Sequence, residues 1–440
     1  MKILITGASG FIGKALIPEL LLKNHEIIIH TRNPEKYKSE FSWPIKVVDS
    51  FDIKIIEEVD AIIALAGENV GQGRWTSSKK DKILNSRVSS ILDIKMAMQS
   101  AKKFPKIFIS AAAIGIYDPP GSFLKEVCEK WEKEIFNIYS FLQNNTDTRV
   151  VAVRTGVVLG SDGGALEKMV MPIQWGVGGF LGDGNQYMSW IHIDDLVNIY
   201  ITCLENPKIN GSIDATAPNP VTNKEITRTL AKLLHRFVFL PAPSFILRIV
   251  LGEMSDLLLI SSKIIPEKML SLGFNFKYPQ ILEALKSLNI GELKQFTQYQ
   301  FINANLEKTF EFFSQAENLE KITPEHLNFS IINKSHPKIQ LGTKIEYKLK
   351  IHGINLKWIT LIEKWNPPHD FVDLQEKGPY KYWHHTHSFH PYLNGVLMKD
   401  SIKYSVPGGP VSDIIHFFVK KDLTKIFRFR KKIIEKIFFT

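Results

Sequence analysis

Two cysteines, Cys128 and Cys203, are all that the 440 residues provide. That excludes a disulfide framework and a cysteine-based zinc site, and it suits a reducing compartment. Long apolar runs are missing as well. The most apolar region, 245–265, is broken by Arg248, Glu253, Asp256 and Lys263, so it reads as buried or amphipathic helix and not as a membrane span. The chain opens directly in an apolar strand, which leaves no room for a signal peptide and makes the cytoplasm the expected location. No internal repeat, low-complexity segment or nucleic-acid-binding module is visible. Negative charge runs short only near the end. Residues 291–440 hold 22 Lys/Arg against 15 Asp/Glu, which accounts for most of the net +10. A terminal helix bearing Lys420, Lys421, Lys425, Arg428, Arg430, Lys431, Lys432 and Lys436 could face anionic lipid. A solvated basic face is the plainer reading, and membrane contact is not expected.

What is present is the composition of a globular protein, 44% hydrophobic and 23% charged, and a length that calls for two or three domains. Over 1–160, short apolar runs at 3–6, 26–31, 45–48, 61–65, 106–110 and 150–154 alternate with helical patterns at 11–23, 77–101 and 126–143. Regular structure should stop at Pro34. Strands and helices at this spacing imply right-handed βαβ units and a doubly wound parallel sheet, with ligands at the C-terminal strand ends. From 160 to 290, glycine loops interrupt the alternation. Met188 to Leu196 reads as a strand running into an Asp-capped helix, 223–234 as a helix capped by Thr222, and 223–288 as a small helical substrate lobe. A boundary falls at 290–294. Beyond it, in 295–440, lie long alternating strands at 296–302, 344–351, 356–365, 371–376, 382–390 and 396–406, a helix at 306–316 and a closing helix at 411–438. The apolar stripe of that last helix is Ile415, Val419, Leu423, Ile426, Ile433 and Ile437. The expected second domain is an antiparallel sheet gripping one long helix.

The first thirteen residues carry the strongest local signal. An apolar strand ends in Thr6-Gly7-Ala8-Ser9-Gly10-Phe11-Ile12-Gly13, and helical periodicity follows at once. Glycines at a strand-to-helix turn let backbone approach a pyrophosphate, and the helix start offers N–H groups and a positive dipole end. The second strand ends in Thr31-Arg32. An acid there would hold the ribose of NAD, whereas an arginine suits the 2′-phosphate of NADP.

Residues 1–290 resemble the extended short-chain dehydrogenase/reductase superfamily, and within it the NADP-binding epimerase-family proteins. The resemblance rests on Thr6 to Gly13, Leu65-Ala-Gly-Glu68, Arg74-Trp75, Asn85-Ser-Arg87, Arg154 to Gly160, Gly163-Gly-Ala-Leu166, Met188 to Asp195 and Ala215 to Asn223. It implies that Gly7, Gly10, Phe11, Ile12 and Gly13 cradle the pyrophosphate. Thr31 and Arg32 would bind the 2′-phosphate, and Leu65 and Ala66 would line the nicotinamide-side ribose. Arg87 would contact NADP, and Val158, in the loop after the Arg154 strand, would lie beside the nicotinamide. Residues 295–440 resemble START-like helix-grip (SRPBCC) domains, which implies an apolar ligand.

The superfamily's usual catalyst is a Ser/Thr followed by Tyr-x-x-x-Lys, in which the lysine lowers the tyrosine pKa. Here Ser110 stands at an expected strand end, but no tyrosine lies in Glu126-Val-Cys128-Glu-Lys-Trp131-Glu132, and Tyr139 is followed four residues on by Gln143. Two accounts stay open. Tyr117 acts as acid/base by another geometry, helped by His192, or the domain binds NADP without ordinary catalysis. The first gives an NADP-dependent oxidoreductase or nucleotide-sugar-type epimerase acting on a small molecule. The second gives a regulator. The run His384-His385-Thr-His387-Ser-Phe-His390 raises a metal question, but no carboxylate adjoins it in sequence, so no metal is expected.

Overall fold

The computed structural model describes residues 1–40, 43–142, 147–161, 163–238, 241–291, 293–407 and 412–438. Two compact units emerge: Met1–Tyr37 with Ile45–Ile290, and Lys38–Pro44 with Gly291–Thr440.

The first unit runs β1 (Lys2–Thr6), α1 (Phe11–Leu22), β2 (Glu26–His30), α2 (Pro34–Glu40), β3 (Lys46–Val48), α3 (Ile53–Glu58), β4 (Ala61–Ala64), α4 (Ser77–Gln99), β5 (Ile107–Ala113), α5 (Phe123–Leu142), β6 (Arg149–Thr155), β7 (Val157–Gly160) and β8 (Gly163–Gly164). It continues with α6 (Leu166–Gln174), β9 (Tyr187–Met188), β10 (Trp190–His192), α7 (Ile193–Glu205), β11 (Gly211–Ala215), β12 (Val221–Thr222) and α8 (Asn223–Leu233). The short helices α9 (Ser244–Leu251), α10 (Asp256–Leu259), α11 (Glu267–Ser271) and α12 (Ile281–Ser287) complete the lobe. Seven strands form a parallel sheet in the order β11-β6-β5-β4-β1-β2-β3. The order reverses between β1 and β4, which makes their C-terminal ends the switch point of a Rossmann-like sheet. Both sheet faces are covered, so strands such as Ile27-Ile28-Ile29 are apolar throughout. On one face Leu4, Ile62, Phe108 and Val150 pack against Ile91, Ile94 and Met98 of α4 and Trp131, Ile135 and Ile138 of α5.

Several elements depart from the sequence reading. Pro34 begins a helix instead of ending structure. Asn33 accepts the Lys36 N–H at 3.1 Å as an N-cap, and proline at the first helical position has no N–H to leave unpaired. Helix α7 is capped by His192, whose Nδ1 accepts from the Asp194 N–H at 3.1 Å, and not by an aspartate. Strand β5 continues to Ala113, so Ser110 lies inside the strand and not at its end. Thr222 caps α8 as expected, accepting from the Glu225 N–H at 3.2 Å.

The second unit runs β13 (Lys294–Ile302), α13 (Leu306–Phe313), α14 (Ala316–Lys321), β14 (Ser330–Lys334), β15 (Lys344–Ile351), β16 (Ile354–Asn366), β17 (Asp370–Lys377), β18 (Tyr382–Tyr392), β19 (Gly395–Ser405) and α15 (Ser412–Phe438). Its antiparallel sheet has the order β13-β19-β18-β17-β16-β15-β14, the first strand pairing with the last. Leu423, Phe427 and Ile434 of α15 pack among Trp358, Trp383, Ile402 and Tyr404 at one end and Ile302, Phe310 and Phe389 at the other. The buried stripe of α15 is therefore displaced from the expected one. Ile415 and Ile437 are exposed, whereas Arg430, assigned by sequence to a solvated basic face, is buried. The expected helix termini Gln143 and Val411 lie outside the described residues. Among the described residues no helix is long and apolar enough to cross a membrane.

Candidate functional site

The turn after β1 lies against the end of β4. Gly7 has φ +69°, and a Cβ there would sit 2.5 Å from the Leu65 carbonyl carbon, so only glycine permits the approach. The two strand ends are tied directly: the Leu65 N–H donates to Thr6 O at 3.2 Å, and the Ala66 N–H to Thr6 Oγ1 at 3.3 Å. Gly10 is the N-cap of α1 and offers no side chain to its N–H groups. A Cβ on Gly10 would meet only Gly7 O, at 3.1 Å, and otherwise project into open space. The first turn of α1, Phe11, Ile12 and Gly13, thus presents its N–H groups beside the bare backbone of Gly10. Gly13 serves packing: a Cβ there would lie 2.6 Å from Ala8 O. The Phe11 ring fills the slot left by Gly160, Gly163 and Gly164, where any Cβ would come within 2.9 Å of it. The side chain of Phe11 therefore anchors the helix start, which leaves only its backbone at the glycine turn.

At the end of β2, the Thr31 N–H donates to Val48 O at 2.9 Å. Arg32 is exposed and makes no ion pair among the described residues. Arg87 of α4 reaches back beneath the loop after β4, donating to Ile83 O at 2.8 Å and Glu68 O at 3.1 Å. Its guanidinium lies 5.1 Å from the Trp131 ring centroid and touches the Cβ position of Gly67. Burial pushes its pKa down, and no carboxylate pairs with it among the described residues. Arg87 is thus half-buried and held by two carbonyls and the Trp131 ring, with no ion pair among the described residues. Val158 is half-buried on β7, opposite Ile191 of β10, so it sits on a strand and not in the expected loop.

The three candidate catalytic residues are not brought together. Ser110 is fully buried and its hydroxyl donates to Ala111 O at 2.8 Å. The ring nitrogens of His192 are both engaged, Nδ1 by the Asp194 N–H and Nε2 by Ser287 Oγ at 3.1 Å. Because Nδ1 accepts, the proton sits on Nε2 and the ring is neutral. Burial lowers its pKa to about 4, and Tyr278 packs on it at 4.0 Å. His192 positions α7 and does not assist Tyr117.

Tyr117 instead belongs to a network that the motifs only half revealed. It follows β5 on a short 3-10 turn, Ile114–Tyr117, at the C-terminal edge of the sheet. Its hydroxyl lies 2.9 and 3.1 Å from the two Asp214 oxygens and accepts from Arg154 Nη1 at 2.7 Å. Arg154 grips Glu132 of α5 through Nε and Nη2, both at 2.8 Å. The bidentate Glu132 contact holds the guanidinium charged, above the usual arginine range. Burial, then the Asp214 charge, pushes the Tyr117 phenol up, and burial also raises Asp214. The phenol therefore stays protonated at neutral pH and is built to donate, unlike a tyrosine lowered by lysine. Glu132 was detectable in the sequence, because it shares the buried stripe of Cys128, Trp131 and Ile135, where a charge demands a partner. Asp214 carried no such signal.

The description "NAD dependent epimerase/dehydratase family" matches residues 3–214, and a domain of unknown function, DUF1731, matches 242–288. A chloroplastic epimerase family protein SDR39U1 homolog from Arabidopsis thaliana is 38% identical over 312 residues, covering 66% of this chain and 86% of the relative. The chain belongs to the epimerase family. A Staphylococcus aureus epimerase family protein is 33% identical over 302 residues, covering 65% of this chain and 98% of its own length. Among solved structures, human epimerase family protein SDR39U1 with NADPH is 30% identical with a TM-score of 0.57, over 66% of this chain and 99% of that one. A nucleoside-diphosphate sugar epimerase from Corynebacterium glutamicum is 28% identical with a TM-score of 0.51, over 65% of this chain and 57% of that one. In this epimerase-family chain the α5 positions where Tyr-x-x-x-Lys is expected are occupied by buried groups. The Cys128 thiol is pushed by burial to about 12, and Glu132 is locked to Arg154.

Proposed function

We propose that the first unit binds NADP(H) and uses it on a small-molecule substrate, as an oxidoreductase or a nucleotide-sugar-type epimerase. The observation that carries the choice of cofactor is Arg32, exposed and without an ion pair among the described residues, just past the end of β2. Gly7, Gly10 and the first turn of α1 fit the pyrophosphate, because the space a Cβ of Gly10 would enter is open. In this reading Thr31 with Arg32 takes the 2′-phosphate, Leu65 and Ala66 line the nicotinamide-side ribose, Arg87 contacts the cofactor and Val158 lies beside the nicotinamide. The NADPH in the human relative agrees with this choice. When bound, the cofactor supplies or accepts a hydride. Tyr117, hydrogen-bonded to Asp214 and Arg154, holds the proton that such a reaction needs at a substrate oxygen. Stopped-flow oxidation of bound NADPH against a panel of carbonyl compounds tests this. Turnover that Tyr117→Phe slows by at least about tenfold supports it, and no turnover with any substrate favours the second reading.

That second reading is a non-catalytic NADP-binding regulator. It is favoured by one observation, the buried Cys128 and the Glu132–Arg154 pair on α5 where Tyr-x-x-x-Lys would stand. In either case we infer that the second unit is a START-like helix-grip domain that takes an apolar molecule. The pairing of its first and last strands and the helix α15 packed on the sheet support this. Native mass spectrometry of protein from its own cells would detect such a molecule, and a ligand-free second unit in every preparation counts against it.

A further inference from the structure

Four side chains that the proposed function leaves unused meet inside the second unit. Asp373 of β17 lies directly opposite His385 of β18, and His387 of β18 directly opposite Asp400 of β19. Directly paired residues point to the same face of a sheet, and so do residues two apart on one strand. All four therefore share one face, the face that Phe427 and Arg430 of α15 cover. His385 and His387 are each 6% exposed and their rings lie 3.8 Å apart. The carboxylates absent from the sequence neighbourhood of the histidine run are thus supplied by the flanking strands.

The atoms are sorted by role. Asp373 Oδ2 lies 3.0 Å from His387 Nε2 and 3.4 Å from His385 Nδ1. The opposite ring nitrogens face Asp400 Oδ1: His385 Nε2 at 2.9 Å as a hydrogen bond, and His387 Nδ1 at 2.8 Å but off the angle of one. Each imidazole thus offers one nitrogen to Asp373 and the other to Asp400. The three donor atoms around Asp373 lie within 4.8 Å of one another. Ligands of a tetrahedral zinc ion, each at about 2.0–2.1 Å, stand about 3.3 Å apart, and the two separations from Asp373, 3.0 and 3.4 Å, bracket that value, with the histidine donors within 4.8 Å of each other. Metal-bound histidines donate their remaining N–H to a carboxylate that fixes tautomer and orientation. Asp400 stands where that carboxylate belongs for both rings.

Charge leaves room for a cation. The buried Asp400 and the half-buried Asp373 carry two negative charges that need compensation; zinc with neutral imidazoles and one arginine leaves a single positive charge, which an anionic fourth ligand cancels. Arg430, 8% exposed, brings one positive charge from α15, and its Nε finds no hydrogen-bond partner among the described residues. We propose that Asp373, His385 and His387 bind one zinc ion, with Asp400 as the outer carboxylate that orients both imidazoles. Three protein ligands leave a fourth position for water or for an anionic group of a bound molecule, on the face that carries Arg430. The site is independent of the dinucleotide reading of the first unit.

Untagged full-length protein expressed in zinc-supplemented medium, so that the ion enters as the chain folds, provides the test. Elemental analysis should return one zinc per chain after gel filtration. Asp400→Asn should weaken zinc binding about 10- to 100-fold in chelator competition, and His385→Gln should abolish stoichiometric binding while near-ultraviolet circular dichroism reports a folded chain. Expression with cobalt should give the intense visible bands of a tetrahedral site, a readout that needs no variant. Protein without stoichiometric zinc or cobalt overturns the proposal, since the cluster is then neutralised by a histidinium. Zinc content undiminished in His385→Gln also overturns it.

Discussion

The network around Arg154 is where the structure makes its most quantitative demand. Glu132 is 6% exposed and accepts two bonds of 2.8 Å from a guanidinium whose side chain is 21% exposed. In Glu132→Gln one acceptor oxygen survives, but the second position becomes an NH2 facing another donor, and the arginine charge loses its partner. Breaking a fully buried pair costs about 3–5 kcal/mol. Water reaches part of Arg154, so we expect about 2–3 kcal/mol here. Tyr117→Phe removes the bonds to Asp214 and Arg154 from a residue 45% exposed, and should cost no more than about 1 kcal/mol. Combining Glu132→Gln with Arg154→Met removes both halves of the pair, and the double variant should be more stable than the sum of the singles predicts by about 2 kcal/mol. The assay is urea unfolding of the full chain, followed through the transition that added NADPH shifts, because a ligand stabilises only the unit that binds it. A Glu132→Gln variant within about 0.5 kcal/mol of the parent, or additive behaviour in the double variant, refutes the reasoning.

Further outcomes follow from the same geometry. His192 is buried neutral, with its pKa lowered to about 4. The unfolded chain therefore binds a proton near pH 6.5 that the folded chain refuses, so its contribution is fully present above that pH. Stability should fall by roughly 3 kcal/mol as pH drops from about 6.5 to about 4. His192→Asn keeps a helix cap and should flatten that stretch of the urea-midpoint profile; an unchanged slope would contradict the assignment. Gly13→Ala places a methyl 2.6 Å from Ala8 O, so it should cost about 1–3 kcal/mol and lower the thermal midpoint even without nucleotide.

The sequence made the alternation of the first unit legible because fully buried parallel strands, such as Ile27 to Ile29, are apolar on both faces. The glycine turn was legible because φ +69° at Gly7, together with Leu65 backbone 2.5 Å from any added Cβ, requires glycine there. Boundaries were harder. Ala111 to Ala113 carry no strand signature, yet they extend β5 through pairing with Val153, Arg154 and Thr155, and this moves Ser110 away from the strand end. Strand β14 was unreadable, being five residues long, largely without buried side chains and bulged between Ile331 and Asn333. Clusters formed across strands were invisible for a related reason. Asp373 and Asp400 stand 12 and 13 residues from their histidine partners in the chain, and only the hairpin register closes that distance. Arg430 and His416 occupy the buried stripe of α15, so a search for apolar spacing alone selected a neighbouring stripe.

The central claim is that Arg32 selects NADPH, and its most direct measurement is a paired fluorescence titration of NADPH and NADH. A charge-assisted contact between an exposed arginine and a phosphate is worth about 1.5 kcal/mol or more, so the parent protein should bind NADPH at least about tenfold more tightly. Arg32→Asp should remove that preference while leaving NADH affinity nearly unchanged. Equal affinities for the two nucleotides in the parent protein would contradict the account.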